Sequence, residues 1–309
     1  MVYQSFELPP APDAPLSILS LIKLSAGAYR ATFGLSMNLL WLPCLVSVAG
    51  HALISSVEAP VTFSLDVLVR FSLVMFCALV CGLFFLFHFV KRSLALKRMV
   101  LLSDDSSIPS LAFSNRLGWK AVIADVCVIV IQFVNAVVLI VLGLIAYGND
   151  GIMHSPMRFA LLPDLSLPFI AIIMALTAVS FLCWNFSEFF YQCFSVVLAT
   201  ESSDWPSLWR RSCDLSRSAF WRGSVFVFAI EFALWMSEIL FSPVAVFNLQ
   251  AALSGGVEGY ATCVPPIWLS VVDYSVEFAI LLLLAPFFII LNAYFANNVR
   301  IRFDARAGR

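Results

Sequence analysis

Charge is scarce in this sequence. Only 12% of its 309 residues are Asp, Glu, Lys or Arg, and histidine occurs three times. A soluble domain carries about 25% charged residues. With hydrophobic residues at 61% and a mean hydropathy of +0.96, this shortage excludes an ordinary water-soluble domain. Composition makes the chain an integral membrane protein. The net charge of −1 gathers no nucleic acid, and none is expected as a partner.

Other absences narrow the field further. The opening "MVYQSFELPPAPDAPL" has two acids and no Lys or Arg, whereas a cleavable signal peptide begins with a basic region. Residues 1–14 are expected to form a disordered tail, with the first span as an uncleaved insertion signal. Of eight cysteines, only Cys263 falls in an expected external loop, so no disulfide framework is expected. Cys77 and Cys81 share a helix face as small hydrophobes. No HExxH, GxSxG or phosphate-cradling glycine loop occurs, and "SGGVEGY" follows no strand. His51, His88 and His154 lie on separate segments. No metal or other cofactor is expected, and no catalytic residue is assigned.

What the chain does have is long apolar runs. A spanning helix needs about 20 apolar residues, and six runs qualify: 36–57, 67–90, 121–147, 168–199, 223–245 and 267–297. Pro43 and Pro286 are expected kink points. Six spans put sixteen of the eighteen Lys and Arg residues, all but Arg70 and Arg158, on one side. By the positive-inside rule that side is cytoplasmic, so both termini are inside, and a bacterial inner membrane is the expected location. Loops near 58–66, 148–167 and 246–266 face outward and are too short for a catalytic domain. Asp66 and Arg70 are spaced to pair. Residues 301–309 are expected as a cytoplasmic tail after a single membrane domain, 15–300.

Three segments begin alike: "DAPLSILSLIKLSAGAYRATF", "SIPSLAFSNRLGWK" and "DWPSLWRRSCDLSRSAFWR". Each sets Pro two residues after Asp or Ser, suiting a capped first helical turn. Each ends in an aromatic–basic pair: Tyr29-Arg30, Trp119-Lys120, Trp221-Arg222. In the third, Trp205, Leu208, Trp209, Cys213, Leu215, Ala219 and Phe220 share one side of a helical wheel. Arg210, Arg211, Asp214, Arg217 and Arg222 share the other, as in a helix lying in the membrane interface. The expected architecture is all-α: three repeats of an interfacial elbow (15–34, 107–119, 204–221) followed by two spans.

The stretch "SVVLATESSDWPSLWRRSCDLSRSAFWRGS" and the ending "FFIILNAYFANNVRIRF" resemble the membrane domain attached to some bacterial glycerophosphodiester phosphodiesterases, and related standalone six-span proteins of unassigned function. Ser207-Leu208-Trp209-Arg210-Arg211-Ser212 and Ala219-Phe220-Trp221-Arg222 carry the resemblance. It implies a six-span membrane module. The phosphodiesterase domain has no counterpart here, so the resemblance implies no enzymatic activity.

Polar residues inside spans are expensive and mark sites or helix contacts. His88, Asn135, Glu188, Glu231, Glu238 and Glu277 form a candidate intramembrane track, with Asn185, Gln132, Gln192, Asp273 and Asn292 nearby in sequence register. No Lys or Arg is expected at matching depth to pair with these acids. The track suits a cation, a proton relay or a polar headgroup; the same residues also suit hydrogen-bonded packing. Lys91, Arg92, Lys97, Arg98, Arg210, Arg211, Arg217 and Arg222 are candidate contacts for anionic lipid, or topology signals alone. The expected function is a non-enzymatic accessory, membrane-organising or lipid-handling component with membrane lipids as partners. A small proton- or cation-coupled transporter using the buried carboxylates is the alternative. A protein partner is not identifiable from these residues.

Overall fold

The computed structural model describes residues 8–9, 12–55, 65–102, 107–148, 167–201, 204–250 and 266–308. Most of the expected tail, Cys263 and the expected outer loops apart from 246–250 lie outside the described residues, as does the Asp66 side chain. The elements are α1 (Ile18–Ser55), α2 (Leu65–Leu102), α3 (Ser107–Gly148), α4 (Leu167–Glu201), α5 (Trp205–Ser218), α6 (Phe220–Phe241), a helical stretch over 243–250 (α7) and α8 (Ile267–Ala307). No strand occurs among the described residues.

Among the described residues, five helical segments are long and apolar enough to cross a membrane: Ile18–Leu53, Val69–Leu102, Ser110–Val138, Phe220–Phe241 and Ile267–Ala307. The described residues are therefore all-helical, and their long apolar helices are those of a membrane protein. The expected span 168–199 coincides with α4, which is not among the five; its described part carries Asn185, Glu188 and Gln192.

Helix α4 is central, touching α2, α3, α5, α6 and α8, while α1 packs on α2 and α8. The tightest core sits at one end. There the last turns of α2 (Leu94, Leu96, Met99) and α4 (Phe194, Val197, Leu198) and the second half of α8 (Ile290, Ala293, Tyr294) join Leu21, Ala28 and Leu40 of α1 and Ala121 and Ala124 of α3 in one cluster. The residues before α1 are tied to the same end. Asn298 accepts the Leu16 N–H at 2.8 Å and donates to its carbonyl at 3.2 Å, and Arg302 donates to that carbonyl at 3.0 Å.

The two expected kink prolines, Pro43 and Pro286, sit inside their helices beside bonded carbonyls. Pro43 cannot donate to the Leu39 carbonyl, and the Arg92 guanidinium of α2 donates there instead. Beside Pro286, the Tyr29 hydroxyl donates to the Leu283 carbonyl at 2.7 Å. For Pro43 the side chain replaces the donor that the proline lacks; for Pro286 it bonds the carbonyl next to the one (Leu282) left without that donor.

The three expected elbows differ. The first two are not separate helices: α1 and α3 run unbroken from elbow into span. In α1 the cap is Ser17, whose Oγ accepts the Ser20 N–H at 3.2 Å, so neither Asp13 nor Pro15 plays the expected part. Only the third elbow is a helix of its own. Asp204 caps α5, accepting the Ser207 N–H at 3.4 Å, with Pro206 in the first turn. A single non-helical residue, Ala219 (φ −127°, ψ 24°), separates α5 from α6. The tryptophan face of α5 packs on protein: Trp205 stacks on Trp119 of the second elbow (centroids 6.1 Å, planes at 3°), and Trp209 lies 4.8 Å from Phe190.

The Ser207 hydroxyl and then its N–H hold the Asp204 carboxyl below the usual carboxylate range. A lowered folded pKa means that the cap contributes fully above the unfolded value of about 3.9. It is lost as pH falls through the lowered folded value. Asp204→Ala is expected to fray the first turn at neutral pH, read as faster amide exchange at Ser207 and Leu208. Unchanged exchange there would remove the capping role.

Helices α2 and α8 both outrun their expected ends. α2 continues to Leu102 through Lys91–Arg98, and α8 continues to Ala307 through the expected tail. The helix expected over 223–245 stops early, at Phe241, because Ser242 turns extended and Pro243 opens α7. Asp273 of α8 holds this break, accepting from the Ser242 hydroxyl at 2.5 Å and the Val244 N–H at 3.4 Å.

Candidate functional site

The continuation of α2 decides where the chemistry lies. Ser93 and Lys97 fall one and two turns beyond Phe89, on the face that already lines the bundle. Lys97 is therefore turned inward and is only 2% exposed. Its ammonium donates to Gln192 Oε1 at 2.6 Å and Ser195 Oγ at 2.7 Å, and lies 5.3 Å from the Tyr191 ring centroid. An ammonium has three donors, so these two bonds leave one N–H free to serve the adjoining cavity.

The acids come from two other helices. Glu188, Gln192 and Ser195 repeat at i, i+4 and i+7 along α4, and Asp125 and Gln132 at i and i+7 along α3, so each set shares one face. Gln132 Nε2 donates to Glu188 Oε1 at 3.0 Å. Asp125 lies within electrostatic range of both Lys97 and Glu188. Lys97, read as a lipid contact from a loop, is instead buried within electrostatic range of Glu188 and Asp125, although it forms no ion pair with either among the described residues. Asp125 is a site residue that the sequence reading missed. Its signal is the seven-residue spacing to Gln132 in an otherwise apolar run.

These groups close one end of a cavity of about 690 Å³ between α2, α3, α4 and α8. Its polar end holds Ser93, Lys97, Asp125, Glu188, Tyr191, Gln192 and Asn292. The rest is a stripe along α2 from Val90 back through Phe89, Leu86, Leu83, Gly82 and Leu79 to Met75. Met75 and Lys97 are roughly 33 Å apart at the α-helical rise, comparable to a hydrocarbon core of about 30 Å. Leu79 and Leu83 are 59% and 57% exposed, so the apolar part opens sideways on the outer surface of α2.

The other track residues do not join this cluster. Glu231 of α6 takes a hydrogen bond from Trp184 and lines neither this cavity nor the one at the far end. Glu238 and Glu277 line a smaller cavity of about 200 Å³ at the far end, with His51, Trp235 and Asp273. There His51 Nδ1 meets Glu277 Oε2 at 2.9 Å, a partnership between α1 and α8 that sequence reading did not propose. His88 packs on Phe84 and Phe87 of its own helix, with centroids at 4.2 and 5.5 Å. The amide nitrogen of Asn135 is buried without a hydrogen-bond partner among the described residues.

The candidate lipid-contact residues also divide. Arg98 donates to the Ala199 carbonyl at 2.6 Å and stacks 4.1 Å from Phe113; Lys91 lies 4.0 Å from Phe87. Arg211 bridges Glu201 at 2.7 Å and Asp304 at 3.0 Å. With Arg92 and Lys97 already bonded inside the bundle, Arg210, Arg217 and Arg222 are the members of the set that stay exposed.

Comparisons with protein-family models, curated proteins and solved structures found no match for this chain.

Proposed function

We propose that the protein is a non-enzymatic, six-span lipid-handling component of a bacterial inner membrane, related to the membrane modules it resembles in sequence. In this reading α4 is the sixth span, and both termini, with the basic residues, lie on the cytoplasmic side. The 690 Å³ cavity holds an amphiphile, with its head at Lys97, Asp125 and Glu188 and its chain along α2. The carrying observation is the division of that one cavity into a polar end and an apolar, laterally open end. Lipid can enter such a space from the bilayer without crossing water. Two carboxyls to one amine favour a head rich in hydroxyl or amine donors over a doubly charged anion.

The reading as a transporter has less support, since Glu188 and Glu238 line separate cavities and Glu231 lines neither of them.

Gly82 lines the apolar part, and a Cβ added there meets nothing within 4 Å. Gly82→Trp is expected to fill the chain channel while leaving the fold intact. Native mass spectrometry of the detergent-purified protein should show a retained amphiphile in the wild type and its loss in the variant. Equal retention in both, or none in the wild type, would count against the proposal.

A further inference from the structure

A second cavity, of about 1100 Å³, lies between other elements: the start of α1, the α5–α6 joint and the last half of α8. Its lining includes Arg217, Arg222, Arg302 and Arg306 and no carboxylate. The remainder is apolar, with Ile22 of α1, Val225 and Ala229 of α6, and Phe287 of α8. Polar and apolar parts again adjoin, but here every charged residue of the lining is a cation.

The charges are also unspent. Arg211 and Arg300, at the same end of the bundle, are satisfied by Glu201 and Asp304. Arg217, Arg222 and Arg306 form no ion pair among the described residues, and Arg302 donates to a neutral carbonyl while its buried Nε has no partner. Gathering four guanidinium groups without a counter-charge is unfavourable unless an anion completes the site. Topology signalling requires cations near the span ends. It does not require them around one groove whose other wall is apolar. Guanidinium forks match phosphate oxygens in pairs. Trp221, 66% exposed in the same lining, is placed like an interfacial aromatic.

We propose that this groove binds an anionic phospholipid, with its phosphate among Arg217, Arg222, Arg302 and Arg306 and its acyl chains against α6 and α8. The site is independent of the amphiphile cavity: it uses other residues and prefers the opposite head charge.

The test is a titration of the full-length protein in detergent with dioleoylphosphatidylglycerol and, separately, dioleoylphosphatidylcholine, read by native mass spectrometry. Phosphatidylglycerol is expected to bind roughly tenfold or more tightly than phosphatidylcholine. Arg222→Gln with Arg306→Gln removes two exposed charges that form no hydrogen bond or ion pair among the described residues, and should erase that preference. Arg210→Gln removes an exposed charge outside the groove and should leave it unchanged. Ala229→Trp fills the apolar part with every arginine intact, and should weaken phosphatidylglycerol binding as well.

Equal binding of the two lipids would overturn the proposal, as would an Arg210→Gln effect matching that of the groove pair. Undiminished binding in Ala229→Trp would mean that phosphate is held without chains, which also overturns it. So would phosphatidylglycerol binding that appears only after residues 1–11 are deleted, since the groove would then belong to the chain's own start. Because Gly82→Trp reports on the first cavity alone, failure of either proposal leaves the other readable.

Discussion

Lys97→Met is expected to cost about 3–5 kcal/mol of stability, the usual penalty for removing one partner of a buried charged set. The change keeps a chain of similar length and takes away only the ammonium. Gln192 Oε1 and Ser195 Oγ, which accept from it at 2.6 and 2.7 Å, are then left without that donor. Asp125 and Glu188 lose the one cation named within their electrostatic range. Methionine cannot replace these interactions, and little water reaches a position only 2% exposed. Neutralising the acids separates charge from packing. Lys97→Met combined with Asp125→Asn and Glu188→Gln should recover much of the loss, because exchanging a whole buried charged set for neutral groups is often close to neutral. Thermal unfolding in detergent, monitored by circular dichroism, reads all these proteins. A single variant as stable as the wild type would show that the ammonium does not hold the cluster together. A triple variant no better than the single would place the cost in packing.

That cluster shows which parts of the structure can be read from sequence. Apolar runs and the gathering of basic residues are one-dimensional signals, and they do locate the long helices and the end at which Lys91–Arg98, Arg211 and Arg300 meet. The inward turn of Lys97 is not such a signal. Charges after residue 90 look like the end of a span, yet α2 continues to Leu102. Helical phase then puts Lys97 on the buried face and hides it from solvent. The first two elbows mislead for a related reason. Their proline and aromatic–basic signature resembles that of α5, but no break like Ala219 follows them, and so α1 and α3 continue straight through. The arginine groove needs three elements that are distant in sequence, and Arg302 and Arg306 read locally as a tail until α8 is seen to reach Ala307. Asp125 and Gln132 lie within one helix, and their spacing was available in the sequence.

Gly223→Val is the other substitution expected to be severe, with a cost of about 3 kcal/mol or more from overpacking. A Cβ at Gly223 would lie 2.2 Å from the Phe189 ring, far inside any tolerable contact. The ring has little room to yield: Phe189 is fully buried, and its other neighbours include Phe295, 6.0 Å away between centroids. Phe295 is itself stacked on Phe226 of α6 at 3.7 Å, so the strain would pass into the α6–α8 contact. Glycine here permits the close approach of α6 to α4, the role small residues play between membrane helices. It is not needed for backbone freedom, since Gly223 is helical and its N–H bonds the Ala219 carbonyl at 2.8 Å. Gly34→Ala provides the contrast: nothing lies within 4 Å of its added Cβ, so helix propensity alone should make it neutral or stabilising by up to about 1 kcal/mol. The decisive measurement is a double-mutant cycle with Phe189→Ala, which opens the space that valine needs. The pair should be less damaging than the sum of its parts by about 1 kcal/mol or more. Strict additivity would mean that Gly223 and Phe189 do not share this contact, and that α4 and α6 are held together elsewhere.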